Sequence, residues 1–209
     1  EQSPFNESAL AGPHASDYAR SKFLGDQAGW ELHAQEGLPL TVVHLAAVIG
    51  AGDDKATMEI ERAVKGQLPA LVGADTVYTF VYRYDAAQAI VSSLLSEKST
   101  GKRYLIGNQR MSTRAYFNLI ADIAGVKAPR INIPEQRLLP VARGMEAVSR
   151  ITRRRPLIPA DVLKTTIAGS LLFSAERSER ELGLQYTPLV EALREAIDDI
   201  RERQRKKAA

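Results

Sequence analysis

The chain has 209 residues, of which 44% are hydrophobic and 25% charged, a composition typical of a globular protein with one substantial core. It contains no cysteine, which excludes disulfides, thiolate metal sites and a cysteine nucleophile, and its histidines, His14, His33 and His44, lack metal-ligand spacing. The net charge of +3 is small and its excess is concentrated in Arg150 to Arg155 and in the tail from Arg201 to Lys207, so we expect a solvated face and no nucleic-acid binding.

The first predicted helix runs from Ser16 to Glu36, where apolar and aromatic positions recur among charges with no proline. Ser16 or Asp17 is the predicted N-cap. Residues four apart share one face of a helix, so Tyr18 and Lys22 should present a phenol and an ammonium group to the same spot. A phenol titrates near 10 in water and a nearby cation favours its ionised form, so this pair suits proton transfer.

The helix is followed by a tight turn and a predicted buried strand. Gly37 to Pro39 form the turn, and the apolar run from Leu40 to Ile49 ends in Gly50-Ala51-Gly52. Although two glycines after a strand resemble part of a dinucleotide fingerprint, the third glycine position holds Lys55. We therefore predict a loop that borders the active site.

The remaining chain alternates predicted helices and strands. We expect Leu40–Ala47 and Arg103–Ile106 to be parallel strands of one sheet, with the first helix packed on its face. The other predicted elements are helices over Ala56–Gly66 and Asp85–Glu97, a strand over Val77–Val81, a helix from a Ser112 cap to Gly125, an extended Pro129–Pro134, helices over Leu138–Ile151, Ala160–Ile167 and Ala175–Leu182, the last capped by Ser174, and a final helix opened by Pro188 whose tail from Arg201 should fray.

Five motifs, in order, resemble those of the extended short-chain dehydrogenase/reductase family, which includes epimerases, dehydratases and dihydroflavonol-reductase-like enzymes. Tyr18 to Lys22 resembles the family's Tyr-x-x-x-Lys, and His44 to Asp53 resembles its Arg-Pro-x-x-Val-Tyr-Gly-Pro-Gly-Asp. Phe80 to Ala87 is similar to Phe-Val-x-Val-Asp-Asp-Val-Ala, Gly101 to Gly107 to Gly-x-x-Tyr-x-Ile-Gly, and Phe173 to Gly183 to the closing segment.

The resemblance covers the whole chain and implies an α/β fold, namely the C-terminal part of a Rossmann-like parallel sheet with a mostly helical substrate-binding subdomain. Residues 1–110 would be the C-terminal part of the dinucleotide-binding domain, without its glycine-rich half, and residues 111–209 the substrate-binding subdomain. We expect the glycine motif and the third catalytic residue, a serine or threonine, upstream of Glu1. The isolated chain should then bind NAD(H) and NADP(H) no better than millimolar, lack reductase activity and self-associate through an open strand edge.

The resemblance also implies the roles of individual residues. Tyr18 would be the general acid/base, and Lys22 would hold the nicotinamide ribose hydroxyls of NAD or NADP. The backbone around Leu45, Ala46 and Val48 would line the nicotinamide pocket, although Leu45 replaces the family's proline. The choice between NAD and NADP stays open.

One position bears on the substrate. Nucleotide-sugar epimerases of this kind usually carry Arg-Asp, whose arginine holds a phosphate, where this chain has Tyr78-Thr79. The difference favours an NAD(P)-dependent oxidoreductase that transfers hydride between nicotinamide and a carbonyl or alcohol. A nucleotide-sugar epimerase or dehydratase is the alternative, as is a non-catalytic binding protein, and Arg83 has no role that the sequence explains.

The expected partners follow from the same observations. We expect a small-molecule substrate, no nucleic acid and no membrane, because no apolar run approaches the 20 or so residues of a transmembrane helix. The chain contains no basic-then-apolar N-terminal segment of the kind that serves as a secretion signal, so a cytoplasmic location is the default expectation. A homodimer and the oligomeric state stay open.

Overall fold

The structure, a computed structural model, describes residues 3–14, 16–52, 56–134 and 169–208, together with isolated positions between 137 and 167. Apart from those isolated positions, the predicted helices over Leu138–Ile151 and Ala160–Ile167 lie outside the described residues, as does the basic run from Arg150 to Arg155.

Helices and strands alternate along the described chain. The helices are α1 (Asp17–Glu36), α2 (Ala56–Val64), α3 (Arg83–Leu95), α4 (Thr113–Ala124), α5 (Glu176–Leu182) and α6 (Leu189–Ala208). The strands are β1 (Thr41–Leu45), β2 (Ala47–Ile49), β3 (Ala70–Val72), β4 (Val77–Tyr82), β5 (Lys102–Ile106), β6 (Gln109–Ser112) and β7 (Ile131–Ile133). Within the described residues, none of the helices combines the length and the apolar composition needed to cross a membrane.

The predicted parallel pairing is confirmed, because β1 lies parallel to β5. The apolar run does not form one continuous strand, however. The Ala46 amide still donates to the Ile106 carbonyl at 2.9 Å, but Ala47 already pairs with Phe80 of β4. β4 in turn pairs antiparallel with β6, and β3 pairs parallel with β7. The run therefore changes partners at Ala46, where β1 gives way to β2.

Capping residues at two helix N-termini are confirmed. The Ser16 hydroxyl accepts from the Ala19 amide at 3.1 Å, and the Ser112 hydroxyl accepts from the Ala115 amide at 3.2 Å. Each satisfies one of the amides that a helix start leaves without a partner. The predicted Ser174 cap is wrong, because α5 starts after Ala175 and has no side-chain cap.

The C-terminal helix is longer than predicted. The expected fraying from Arg201 is wrong, since α6 continues to Ala208. Ion pairs one turn apart join Asp199 to Arg203 and Glu202 to Lys206, both at 2.7 Å. Such pairs stabilise a solvated helix weakly, which favours continuation of the helix past its apolar part.

Two hydrophobic clusters form the described core. One joins α2, α4 and α6 to β2 and β4, and its fully buried members include Ile60, Ile120, Leu193 and Ile197. The other joins α3 and α5 to β1, β4 and β5, and Tyr104 and Ile106 lie at its centre. The apolar face of α6 thus packs on β2, which leads into the predicted active-site loop, and on β4, which follows that loop in the sequence.

An ion pair attaches α5 to β5 beside the second cluster. Lys102 donates to Glu181 at 2.7 Å, and the buried Tyr104 hydroxyl donates to the same carboxylate at 3.2 Å. The hydrogen bond from Lys102, supported by Arg180 and Tyr104, lowers the pKa of Glu181 to about 2. The carboxylate therefore stays charged in the folded protein well below the pH at which it is protonated in an unfolded chain.

We predict that Glu181 makes stability fall in acid. Because its folded pKa lies below its unfolded one, its contribution is complete above about pH 4.5 and is lost as pH falls toward about 2. Glu181→Gln should lower the melting temperature at neutral pH, and this deficit should vanish near pH 2, measured by thermal unfolding across pH. Glu97→Gln, on an exposed turn, is the control and should match the parent at every pH. A deficit that does not change with pH would contradict the prediction.

Candidate functional site

Helix α1 brings Tyr18 and Lys22 together on its exposed face. The Lys22 ammonium nitrogen lies 5.6 Å from the centroid of the Tyr18 ring. Tyr18 is 66% exposed and Lys22 is also exposed. Ser21, between them, donates its hydroxyl to the Tyr18 carbonyl at 2.8 Å, so its side chain turns to its own backbone. The phenol and the ammonium group are therefore neighbours and open to a ligand.

A polar cluster that no sequence motif predicts anchors α1 to the β1–β5 pair. Asp26 accepts from the Arg103 guanidinium at 2.9 Å and from the Trp30 indole at 3.1 Å. The same guanidinium lies over the Trp30 ring, 4.4 Å from its centroid, and His44 of β1 lies 3.9 Å from Asp26. Burial lowers the pKa of His44, so this imidazole is mainly neutral at pH 7. The only sequence signal was the spacing of Asp26 and Trp30, one turn apart.

This anchor fixes which end of the sheet Tyr18 faces. Helix α1 ends at Glu36 and a short turn leads into β1, so the two elements run in opposite directions. Tyr18 lies about 27 Å along the helix from that turn, and Val48 lies about 23 Å along β1 and β2. Since Asp26 contacts His44 partway along, the N-terminal turns of α1 lie toward the carboxyl end of the strand, which is the end where parallel α/β sheets bind ligands.

The strand residues predicted to line the pocket differ in exposure. Leu45 is 38% exposed, Val48 is half-buried and Ala46 is 5% exposed, so Ala46 can offer a ligand little besides its backbone. Gly107, after β5, explains the tight packing at Ala46, since a Cβ on Gly107 would lie 2.6 Å from the Ala46 methyl group. Its φ of +133° also disfavours any other residue there. The roles of these three residues toward a cofactor stay predictions.

At the position that bears on the substrate, Thr79 is fully buried and structural. Its hydroxyl donates to the Leu171 carbonyl and accepts from the Phe173 amide, each at 2.9 Å. Thr79 thereby joins β4 to the segment before α5. Tyr78 is half-buried and pairs across the strands with Met111.

A cavity of about 520 Å³ lies between the N-terminal loop, α1 and β5. Its walls combine the rings of Phe5, Phe23 and Phe173 with the polar groups of Asp26 and His44. Tyr18 and Lys22 are not among the residues that line it. The cavity therefore adjoins the anchoring cluster and not the exposed phenol–ammonium pair.

The chain resembles known proteins in sequence and in fold. Residues 1–107 match the NAD dependent epimerase/dehydratase family. A provisionally named dihydroflavonol 4-reductase of Synechocystis sp. (strain ATCC 27184 / PCC 6803 / Kazusa) is 27% identical over 186 residues, which cover 86% of this chain and 53% of that protein. The chain thus spans little more than half the length of the curated relatives it matches.

Solved structures share the fold. The crystal structure of gox2253 superposes with a TM-score of 0.78 at 24% identity, covering 96% of this chain and 61% of that one. The UDP-glucuronic acid 4-epimerase from Bacillus cereus, in complex with UDP-glucuronic acid and NAD, superposes with a TM-score of 0.73 at 17% identity. The match covers 97% of this chain and 57% of that one. The described α/β arrangement is that of Rossmann-like epimerase and dehydratase structures.

Proposed function

The chain belongs to the NAD dependent epimerase/dehydratase family, and from that premise we propose that it forms the nicotinamide and substrate end of an NAD(P)-dependent oxidoreductase. The observation that carries the proposal is the exposed pair of Tyr18 and Lys22 at the carboxyl end of a parallel strand pair. The Lys22 ammonium nitrogen lies 5.6 Å from the centroid of the Tyr18 ring. Exposed hydroxyl and ammonium groups fit the hydroxyls of a nicotinamide ribose, and the accessible apolar side chains of Leu45 and Val48 fit a flat ring. No glycine triplet for a pyrophosphate occurs in the 209 residues.

A bound nicotinamide would supply the hydride chemistry at the carbonyl carbon of the substrate, and the residues of this chain would supply the proton. The Tyr18 hydroxyl gives its proton to the carbonyl oxygen in reduction, and the resulting phenolate takes a proton back in alcohol oxidation. The Lys22 ammonium group stabilises the phenolate form of Tyr18 and so assists proton transfer. The same group would donate hydrogen bonds to the ribose hydroxyls and so orient the cofactor. Ser16 caps α1 just before this pair and keeps its first turn helical.

The residues of β4 favour a reductase rather than an enzyme that acts on sugar nucleotides. A phosphate needs a cation or several free amide donors, and Tyr78 and Thr79 offer neither a charge nor, in the case of Thr79, a free hydroxyl. A substrate without phosphate groups, such as the dihydroflavonol in the name of the Synechocystis relative, suits such a strand. We therefore propose a small carbonyl or alcohol compound as the substrate.

A nucleotide-sugar epimerase or dehydratase is the second candidate because of Arg110. This exposed arginine on β6 lies directly across from Thr79 in the strand pairing. It could supply from the neighbouring strand the positive charge that β4 lacks.

The test uses the full-length gene product, purified and mixed with NADH or NADPH. Ketones, including a dihydroflavonol, form one set of substrates, and UDP- and dTDP-sugars form the other. We expect ketone-dependent loss of the reduced-nicotinamide absorbance and no epimerised sugar. Sugar conversion without ketone reduction would replace the proposal with the second candidate. Failure to bind either cofactor in a calorimetric titration would favour a non-catalytic protein.

A further inference from the structure

The loop Gly50–Gly52 leaves β2 at the carboxyl end of the sheet, two residues after Val48. Arg83, the first residue of α3, packs directly on this loop. A Cβ placed on Gly50 would lie 2.5 Å from Cδ and 2.6 Å from Cγ of Arg83, so the arginine methylenes occupy the space a side chain would need. Position 50 therefore requires glycine as long as the Arg83 side chain packs on the loop.

The charged end of Arg83 reaches the C-terminal helix. Its guanidinium donates to Glu195 of α6, and one turn further along, Asp199 accepts from the Gly52 amide at 3.2 Å. Glu195 and Asp199 are four residues apart and share one face of α6. Two carboxylates of a single helix thus contact the loop, Asp199 through the Gly52 amide and Glu195 through Arg83 and the Ala51 amide.

The ion pair between Arg83 and Glu195 is held in its charged state. Burial by itself would raise the pKa of Glu195, but Tyr82, Arg83 and the Ala51 amide together hold that pKa below its ordinary value. Burial, reinforced by the hydrogen bond to Glu195, raises the pKa of Tyr82 to about 12, so Tyr82 stays a neutral donor. Glu195 is therefore an anion that faces three donors at neutral pH.

Helix α6 is a rigid support for these contacts. The opposite face of the helix carries Leu193, Ile197 and Ile200, all buried in the larger core cluster. Burial on this scale resists movement, because shifting the helix would open the core that it shares with β2 and β4. The loop is therefore tied to the core and not only to its own strand.

We propose that Arg83 and Glu195, with Asp199, form a brace that sets the position of the Gly50–Gly52 loop, and that they act as positioning residues for the nicotinamide end of the site. The inference rests on the proposed function, since Val48 and the loop that follows it border the proposed cofactor site. It also gives a role to Arg83, which no sequence motif explains. Displacing such a border would weaken contacts that a bound cofactor makes in the ground state and the transition state alike, which raises KM more than it lowers kcat.

The first test measures the loop itself and needs no activity. Amide hydrogen exchange is followed at Ala51 and Gly52 in the full-length gene product and in three variants, Glu195→Gln, Arg83→Met and the double variant. Methionine keeps most of the arginine stem and removes the charge. We expect each single variant to speed exchange at Gly52 at least about tenfold, with the double variant no faster than either single one. Exchange equal to the parent in both single variants would overturn the brace.

The control is Glu191→Gln, which removes a carboxylate from an exposed position one turn before Glu195 on the same helix. It should leave exchange at Gly52 unchanged. If Glu191→Gln speeds exchange as much as Glu195→Gln does, the effect comes from the charge of α6 in general and the brace is wrong. If Glu195→Gln does not fold, Arg83→Met alone decides by the same criterion.

The second test asks whether the brace matters to the cofactor. In the full-length gene product, Glu195→Gln should raise the KM for NAD(P)H several-fold while kcat changes less, and Glu191→Gln should change neither. A parent without nicotinamide-dependent turnover would remove the proposed function and leave the exchange result standing. An active parent whose KM is the same in Glu195→Gln would show that the loop position does not serve the cofactor.

Discussion

Tyr18→Phe in the full-length gene product is expected to lower turnover about 10²- to 10⁴-fold, the range attributed to one general acid/base. The change removes only the hydroxyl that we propose delivers the proton. Tyr18 is 66% exposed, so the loss of this oxygen should leave thermal stability within a degree or two of the parent. Steady-state rates at saturating substrate and cofactor, with melting curves alongside, provide the measurement.

Two companion variants sharpen this result. Lys22→Met keeps the stem of Lys22 and removes its charge, so it should raise the KM for NAD(P)H in addition to lowering kcat. Tyr104→Phe removes a tyrosine hydroxyl from the core and should leave turnover near that of the parent. Rates within a few-fold of the parent for Tyr18→Phe would exclude Tyr18 as the proton donor.

Tyr104→Ala is expected to lower the free energy of unfolding by about 3–5 kcal/mol, as for other large aromatic residues truncated in a core. Tyr104 has no exposed surface and lies at the centre of the cluster that joins α3 and α5 to β1, β4 and β5. Its removal leaves a cavity there and also deletes a hydrogen bond to Glu181. Equilibrium denaturation in urea measures the loss.

The comparison with Tyr104→Phe separates packing from hydrogen bonding. Phenylalanine keeps the ring and loses only the 3.2 Å contact with Glu181, which Lys102 still pairs, so its cost should be about 1 kcal/mol. Leu94→Ala, at an 81% exposed site on α3, should cost less than about 0.5 kcal/mol. Equal losses for Tyr104→Ala and Tyr104→Phe would show that the ring is not a core element.

Local patterns predicted several features because they depend on neighbours along the chain. The spacing of Tyr18 and Lys22 placed both side chains on one face of α1, since helix geometry alone decides this. Ser16 and Ser112 cap helices through amides three residues away. The apolar composition of the run after Pro39 also predicted its parallel pairing with β5.

Other features depended on residues far apart in sequence. Asp26 is anchored by Arg103, 77 positions later, and Thr79 is satisfied by Leu171, so neither contact leaves a local pattern. The strand break at Ala46 arises because β4 replaces β5 as partner.

By itself, then, the sequence determined the described helices, the family and the pairing of Tyr18 with Lys22, because short-range periodicity and ordered motifs encode all three. The tertiary structure alone decided that α1 is held by Asp26 and that the loop after Val48 is braced from α6. Arg83 and Glu195 are 112 positions apart and meet only because the apolar face of α6 is buried against β2 and β4. No local spacing of residues predicts this long-range packing.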